Sequence, residues 1–299
     1  MAIFSKMPAE DFLANLAVAI TDRSDVVWEK RGALRYGTTE GEKSYDSVRI
    51  ISKDIKPDDK IIFIRAGVHG EELAGPMTIL NHASDIIDYA HSRGVKVIIY
   101  PLVNPSGFES GRRYNILNYA TDQGTDDIMR YQLEDGSLVG ELAEGQKFIH
   151  WYFSDDERVG ADLTEEARLM HRELKTLPVW QIKAMVDLHQ DYITPDAKPS
   201  AYHYSFGDLA PYGPIVKEIE KLVPVLKNKS IDAGYDTPCQ SDNLGFIVRH
   251  DGSLLDVMYR MKVGHCITVE TMGVTPLDIA DKINMIWIKG LIDLVAKEG

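Results

Sequence analysis

The chain has 299 residues, of which 44% are hydrophobic, and its 46 acidic residues outnumber its 33 basic ones. The resulting formal charge of −13 repels phosphate backbones and so argues against a nucleic-acid partner. No apolar run reaches the roughly 18 residues needed to span a bilayer, and two cysteines are too few for a disulfide framework. We therefore expect a soluble cytoplasmic protein with no nucleic-acid and no membrane partner, and the composition leaves its oligomeric state open.

The first element is an apolar stretch at 12–20, close to the N-terminus. Two acidic residues precede it, where a signal peptide would carry basic residues. Phe12, Leu16 and Ile20 recur at the spacing of one helix face, which predicts an amphipathic surface helix.

Runs typical of buried strands alternate with helical patterns along the rest of the chain. This order predicts an α/β fold with a mixed, mostly parallel sheet flanked by helices. No linker, low-complexity segment or repeat interrupts it, so we expect one domain over residues 1–299. The strand patterns occupy 47–51, 60–65, 96–101, 184–188, 200–205 and 266–270, and the helical patterns occupy 71–91, 162–174, 209–226 and 276–297.

His69 and Glu72 follow the second strand pattern, in the segment Gly-Val-His-Gly-Glu-Glu at 67–72. If a helix begins at Glu71, an imidazole and a carboxylate three residues apart share one face and can bind one divalent ion. A lone His-x-x-Glu is more often an ordinary capped turn, so this interpretation depends on finding a further ligand.

His189 is the best candidate for that ligand. It ends an apolar stretch and lies between Asp187 and Asp191, whose carboxylates can orient its ring. A hydrolytic zinc site needs three protein ligands and an open water position. We therefore predict one zinc ion at His69, Glu72 and His189, because a mixed nitrogen and oxygen set suits zinc better than calcium or magnesium.

Further motifs accompany these residues. The segment Asn-Pro-Ser-Gly-Phe stands at 104–108, the pair Arg112-Arg113 follows it, and Thr-Val-Glu-Thr stands at 268–271. In this order the segments between residues 48 and 273 resemble the zinc carboxypeptidase family. The resemblance implies a phosphorylase/hydrolase-like α/β fold, one zinc ion and a peptide or small amide substrate.

The resemblance also implies catalytic roles. Glu270 matches the family's late carboxylate and would act as general base, taking a proton from water and passing it to the leaving amine. Arg113 matches the arginine that polarises the scissile carbonyl and stabilises the oxyanion. Arg112 competes with it, because the doublet can be offset by one, and is counted among the substrate-binding residues. The segment 104–107 is assigned a structural role as a turn.

The segments implied in substrate recognition depart from the family pattern. The family's Asp-Leu-Asn-Arg is matched by Asp-Ile-Met-Arg at 127–130, so Arg130 can still bind a terminal carboxylate, but methionine replaces the asparagine donor. Leu254 and Leu255 match the segment that shapes the specificity pocket and would line it with apolar surface. The segment 116–160 is either a lid over the site or an ordinary surface excursion.

Three functions are compatible with these observations. The first is a zinc-dependent metallocarboxypeptidase-like hydrolase that cleaves a C-terminal peptide or peptide-like amide bond. The second is a deacylase of small N-acyl amino acids, similar to the succinylglutamate desuccinylase and aspartoacylase branch of the same superfamily, which the methionine favours. The third is a catalytically silent metal-binding regulatory protein, which is disfavoured because ligands, base and oxyanion arginine all have candidates.

Overall fold

The computed structural model describes residues 7–117, 128–153, 163–195, 197–232 and 238–298. Among these residues no helix has both the length and the apolarity to cross a membrane. The strands are β1 (Val26–Thr38), β2 (Gly41–Ser52), β3 (Lys60–Ala66), β4 (Val95–Tyr100), β5 (Met129–Gln132), β6 (Leu138–Val139), β7 (His150–Phe153), β8 (Ile182–Asp191), β9 (Ala201–Ser205), β10 (Ser230–Ile231), β11 (Cys239–Gln240), β12 (Phe246–Ile247) and β13 (His265–Met272). The helices are α1 (Ala9–Ala19), α2 (Ala74–Ser92), α3 (Pro105–Ser110), α4 (Glu165–Thr176), α5 (Gly213–Ile219), α6 (Leu254–Arg260) and α7 (Leu277–Lys297), with short 3-10 turns at Val179–Gln181 and Ala210–Tyr212.

Eight of these strands form one sheet in the order β1-β2-β4-β3-β8-β13-β9-β12. Strands β4, β3, β8 and β13 are parallel neighbours, whereas β1 and β2 extend one edge in antiparallel fashion. On the other side β9 runs antiparallel to β13 and parallel to β12. The prediction of a mixed, mostly parallel sheet flanked by helices is confirmed.

Both faces of the central sheet are covered. Along β3, Ile62 and Ile64 pack against α1, α2, α5 and α7, while Ile61 and Phe63 face α4, α6 and the small sheet of β5 to β7. A strand buried on both faces has no polar side to expose, which explains the uninterrupted apolar run at 61–64.

All six predicted strands are present. The predicted elements differ from the structure mainly in where they begin and end, and an edge strand of the large sheet was missed. Strand β1 was not predicted, because it is an edge strand with only three of its thirteen residues buried and lacks an apolar alternation. The helix predicted over 209–226 is shorter: a 3-10 turn leads into α5, which ends at Ile219.

The segment 116–160 contains a small antiparallel sheet with β5 between β6 and β7. This sheet is tied to the chain ahead of α6, since the amides of Ile128 and Met129 donate to the carbonyl of Gly252 at 3.0 and 3.1 Å. Residues 118–127 and 154–162 lie outside the described part of the chain. The interpretation of segment 116–160 as a lid over the site therefore stays a prediction.

Candidate metal centre and active site

The first two proposed metal ligands lie in a turn after β3. Helix α2 begins at Ala74, three residues later than expected, so His69 and Glu72 do not share a helix face. A hydrogen bond from the amide of Glu72 to the carbonyl of His69 (3.2 Å) closes the turn and brings the two side chains together. The prediction of a shared helix face was wrong, because the turn continues to residue 73 before helical hydrogen bonding begins.

The side chains of His69, Glu72 and His189 converge, and all three are buried. His69 Nδ1 lies 2.7 Å from Glu72 Oε1 and 3.2 Å from His189 Nδ1. His189 Nδ1 lies 2.8 Å from Glu72 Oε2, although this carboxylate oxygen has no hydrogen-bond partner of acceptable geometry. Three electron-pair donors therefore face one point.

This arrangement fits a zinc ion. Two ligands held at 2.0–2.1 Å with tetrahedral angles lie roughly 3.3 Å apart, close to the distances between these donor atoms. Burial lowers the pKa of His69, which favours the neutral imidazole that metals bind. Burial alone would raise the pKa of Glu72, but the neighbouring histidines outweigh it and lower the pKa, so the carboxylate is the favoured form.

Behind His189 lies a buried ion pair. Asp187 Oδ2 is 3.2 Å from His189 Nε2 and accepts a hydrogen bond from Arg65 Nε at 2.8 Å. Burial alone would lower the pKa of His189, but the carboxylates of Asp187 and Glu72 raise it well above its usual value. Asp191 does not touch the ring, because its carboxylate binds Thr194 and Tyr202 instead.

Glu270 lies beside the metal-ligand group because of strand register. It pairs with His189 on β8 and with Tyr202 on β9, so the three side chains project from the same face of the sheet. Glu270 Oε2 is buried without a hydrogen-bond partner. Glu270, Glu72 and Arg113 line a cleft of about 20 Å³, which is enough for one water molecule. Burial raises the pKa of Glu270 well above its usual value.

Arg113 reaches the same cleft from the loop after α3. Its Nη1 donates to Glu72 Oε1 at 3.1 Å and lies 3.6 Å from Glu71 Oε1, while its buried Nε has no hydrogen-bond partner. Burial alone would lower the pKa of Arg113, but Glu72 and Glu71 outweigh it and raise the pKa, so the guanidinium stays charged. A cation with an unused donor therefore faces the water-sized cleft.

The cleft also contains residues that the sequence motifs did not indicate. Tyr202 and Tyr204 form an aromatic wall, with ring centroids 5.7 Å apart. His203 between them points to the opposite face, where it packs against Phe246 and Trp287. The alternation Tyr-His-Tyr was the available signal, since successive strand residues face opposite sides.

The zinc carboxypeptidase family model matches residues 33–191, more than half of the chain. The chain belongs to the zinc carboxypeptidase family. It is therefore a zinc metallopeptidase, as predicted, and the matched segment contains His69, Glu72, Arg113 and His189. Glu270 lies beyond it.

Solved structures agree with this zinc carboxypeptidase in fold. A candidate metallopeptidase from Shewanella amazonensis SB2B is 22% identical, with a TM-score of 0.69 over 97% of this chain and 94% of the other. A candidate metallopeptidase from Shewanella baltica OS155 is 20% identical, with a TM-score of 0.66 over 95% and 91%. A metallo-carboxypeptidase from Burkholderia cenocepacia is 10% identical, with a TM-score of 0.59 over 95% and 68%. No functionally curated protein matched the sequence.

The structure brings neither Arg112 nor Arg130 to the small cleft of this zinc carboxypeptidase. Arg112 is exposed and lines a separate surface cleft of about 710 Å³ with residues of the β1–β2 hairpin. Arg130 lies on β5 and donates from Nη1 to the carbonyl of Met129 at 3.0 Å. Neither arginine is among the described residues that line the cleft at Glu270.

Leu254 and Leu255 do not line the cleft either. They form the first turn of α6 and are 0% and 4% exposed, packed into the core beside the small sheet. Met129, at the position where the family has asparagine, is also fully buried there. In this family member these apolar side chains support the sheet and helix behind the site.

Proposed function

We propose that this zinc carboxypeptidase family member cleaves a C-terminal peptide bond with Glu270 as general base. The observation that supports it most is the pairing of Glu270 with His189 in adjacent parallel strands, beside a cleft that also contains Glu72 and Arg113. A base, the metal ligand Glu72 and a cation then line one water-sized space. We further propose that residues 1–299 form a single catalytic domain.

Glu270 is suited to proton transfer. Its free, buried Oε2 can accept a proton from the attacking water and then donate it to the leaving nitrogen. A general base is most efficient when its pKa lies near the operating pH, and burial moves the pKa of Glu270 upward from its ordinary value.

Arg113 is suited to stabilising the oxyanion. Its guanidinium already lies within 3.1 Å of Glu72, and its Nε is free to donate to an oxygen that gains negative charge. In a partly dry cleft such a donor contributes about 3–4 kcal/mol to transition-state stabilisation.

His69, Glu72 and His189 would hold the zinc ion in this scheme. When bound, zinc supplies Lewis acidity that lowers the pKa of water and polarises a carbonyl oxygen. The side chains of this chain hold the ion, move the proton and bind the oxyanion.

One observation supports the deacylase alternative. Among the described residues that line the cleft, Arg113 is the one cation, so no second arginine stands ready for a terminal carboxylate. A substrate panel separates the two functions. N-acylated dipeptides with free C-termini, the same dipeptides amidated, and N-acyl amino acids are incubated with zinc-loaded protein, and the released amino acids and amino-acid amides are identified and measured.

We expect the dipeptides with free C-termini to be hydrolysed fastest. Their amidated forms should react at least about tenfold more slowly, which corresponds to a loss of about 1.4 kcal/mol in transition-state stabilisation. Faster hydrolysis of the N-acyl amino acids than of any dipeptide would instead establish a deacylase.

The general base is tested with Glu270→Gln, which keeps the shape of the side chain and removes its basicity. This variant should bind zinc with the wild-type stoichiometry and lose at least about 10²-fold in turnover. Wild-type turnover in the zinc-replete variant would refute the role of Glu270.

A further inference from the structure

Asn104 precedes α3 and its side chain is fully buried. Its Oδ1 accepts hydrogen bonds from the amide of Gly107 at 2.8 Å and from the hydroxyl of Ser106 at 3.2 Å. Because two donors face the oxygen, the orientation of the amide is determined. Its Nδ2 must then donate to the carbonyls of Val68 and Arg113, each at 3.2 Å.

The two carbonyls belong to the two catalytic loops. Val68 directly precedes the ligand His69. The carbonyl of Arg113 accepts a second hydrogen bond, from the amide of Gly70 on the other side of His69, at 3.0 Å. The side-chain amide of Asn104 and the carbonyl of Arg113 thus connect the residues on both sides of His69 to the backbone of Arg113.

We propose that Asn104 is a positioning residue that sets the distance between the metal site and the Arg113 guanidinium. The inference rests on the proposed role of Arg113 and goes beyond the turn-forming role of the segment 104–107. Asn104 touches neither substrate nor metal ligand side chains, and it acts through the backbone of its two neighbouring loops.

The physical reason is the length of the arginine side chain. Its guanidinium can reach an oxyanion beside Glu72 only if its backbone is held at one distance from the ligand loop. A misplacement of about 1 Å in such a group costs about 10²-fold in rate. Asn104 supplies this constraint without itself having to contact the substrate.

The test is a double-mutant cycle between Asn104→Asp and Arg113→Ala. Aspartate keeps the size and the Oδ1 acceptor, but it places an acceptor against two carbonyl oxygens. We expect Asn104→Asp to lower kcat about 10²-fold on an N-acylated dipeptide with little change in KM. In the Arg113→Ala background the same change should cost less than about threefold, because the group it positions is gone.

Asn115 provides a matched control. It is buried in the loop that carries Arg113, where its Nδ2 donates to Glu166 Oε2 at 2.7 Å. Asn115→Asp should therefore combine additively with Arg113→Ala. Zinc affinity, measured by competition with a chelator, and the thermal unfolding midpoint are recorded for every variant, so that a general loss of structure is recognised.

The outcomes separate the two proposals. If Arg113→Ala itself leaves kcat unchanged, the role of Arg113 fails and the positioning role of Asn104 fails with it. If Arg113→Ala is severe and the Asn104 effect adds to it in full, only the positioning role is overturned. Should Asn104→Asp not fold, Asn104→Ser deletes the donor without adding a charge, and the same non-additivity is expected.

Discussion

At the scale of single residues, the environment of His189 shows how two similar side chains acquire different functions. Asp187 and Asp191 stand two residues on either side of the histidine, and both were candidates to orient its ring. Only Asp187 touches it, at 3.2 Å, whereas Asp191 binds the backbone amides of Ile193 and Thr194 at 2.8 Å. The turn after β8, whose amides bind Asp191, accounts for the difference.

We expect Asp187→Asn to lower zinc affinity about 10- to 100-fold, the usual effect of removing a carboxylate that orients a metal-binding histidine. The buried Arg65 would then also lose its ion pair with the Asp187 carboxylate, which adds a stability cost. Chelator competition measures the affinity. Asp191→Asn is the control and should change it less than about threefold, since Asp191 does not touch the ring; equal losses in both variants would contradict the assignment.

At the scale of secondary-structure elements, the ligand loop and α3 meet backbone to backbone. A Cβ atom added to Gly70 would lie 1.9 Å from the carbonyl carbon of Gly107 and 2.2 Å from the amide of Phe108. Glycine at position 70 allows this approach, which brings the loop of His69 against the Asn-Pro-Ser-Gly turn.

Gly70→Ala should therefore destabilise the protein by about 1–3 kcal/mol, because backbone atoms cannot move aside as a flexible side chain can. We expect weaker zinc binding as well, since the ligand His69 directly precedes Gly70. Denaturant unfolding and chelator competition measure the two effects. Gly213→Ala is the matched control: its Cβ meets nothing within 4 Å, and it should stay within about 0.5 kcal/mol of wild type.

Strand β9 carries a histidine with a different role from its neighbours. His203 is fully buried, neither ring nitrogen has a hydrogen-bond partner, and burial lowers its pKa to about 3. In the unfolded chain a histidine titrates near about 6.5, so the unfolded state binds the proton first as pH falls. The stability that neutral His203 contributes is therefore complete above pH 6.5 and lost progressively between about 6.5 and 3.

His203→Leu should remove this dependence. We expect the free energy of unfolding of the wild type to fall by about 1.4 kcal/mol per pH unit below about pH 6.5 relative to the variant. Denaturant titrations at pH 7, 6 and 5 give the difference between the two proteins. If the free energy of unfolding changed with pH in the same way in wild type and variant, His203 would be protonated in the folded protein as readily as in the unfolded chain.

At the scale of the whole molecule, the metal site joins segments that are far apart in sequence. His69 and Glu72 come from the loop after β3, His189 from β8, and Glu270 from β13. Zinc bound to His69, Glu72 and His189 should therefore stabilise the whole fold.

We expect zinc at 100 times its Kd to raise the free energy of unfolding by about 2.7 kcal/mol. Denaturant unfolding with and without a chelator measures this difference. Glu270→Gln should be stabilised as much as the wild type, since Glu270 is not among the proposed ligands. His189→Ala should show little stabilisation, and a wild-type increase in that variant would contradict its assignment as a ligand.

The sequence by itself determined the local features of this protein. Uninterrupted apolar runs predicted the central strands, because a strand covered on both faces must be apolar at every position. The spacing of His69 and Glu72, the position of His189 after an apolar run and the accompanying motifs that resemble zinc carboxypeptidases together predicted the group that converges in the structure. Each of these signals lies within a few consecutive residues.

The tertiary structure alone decided which distant residues meet. Arg112, Arg130 and the leucines of α6 carried motif-like signals, yet they lie away from the cleft, while Tyr202 and Tyr204 line it without any motif. The pairing of Glu270 with both His189 and Tyr202 follows from strand order and register. A one-residue shift of β13 would turn Glu270 to the opposite face, and no local pattern encodes that choice, because register is set by contacts between strands distant in sequence.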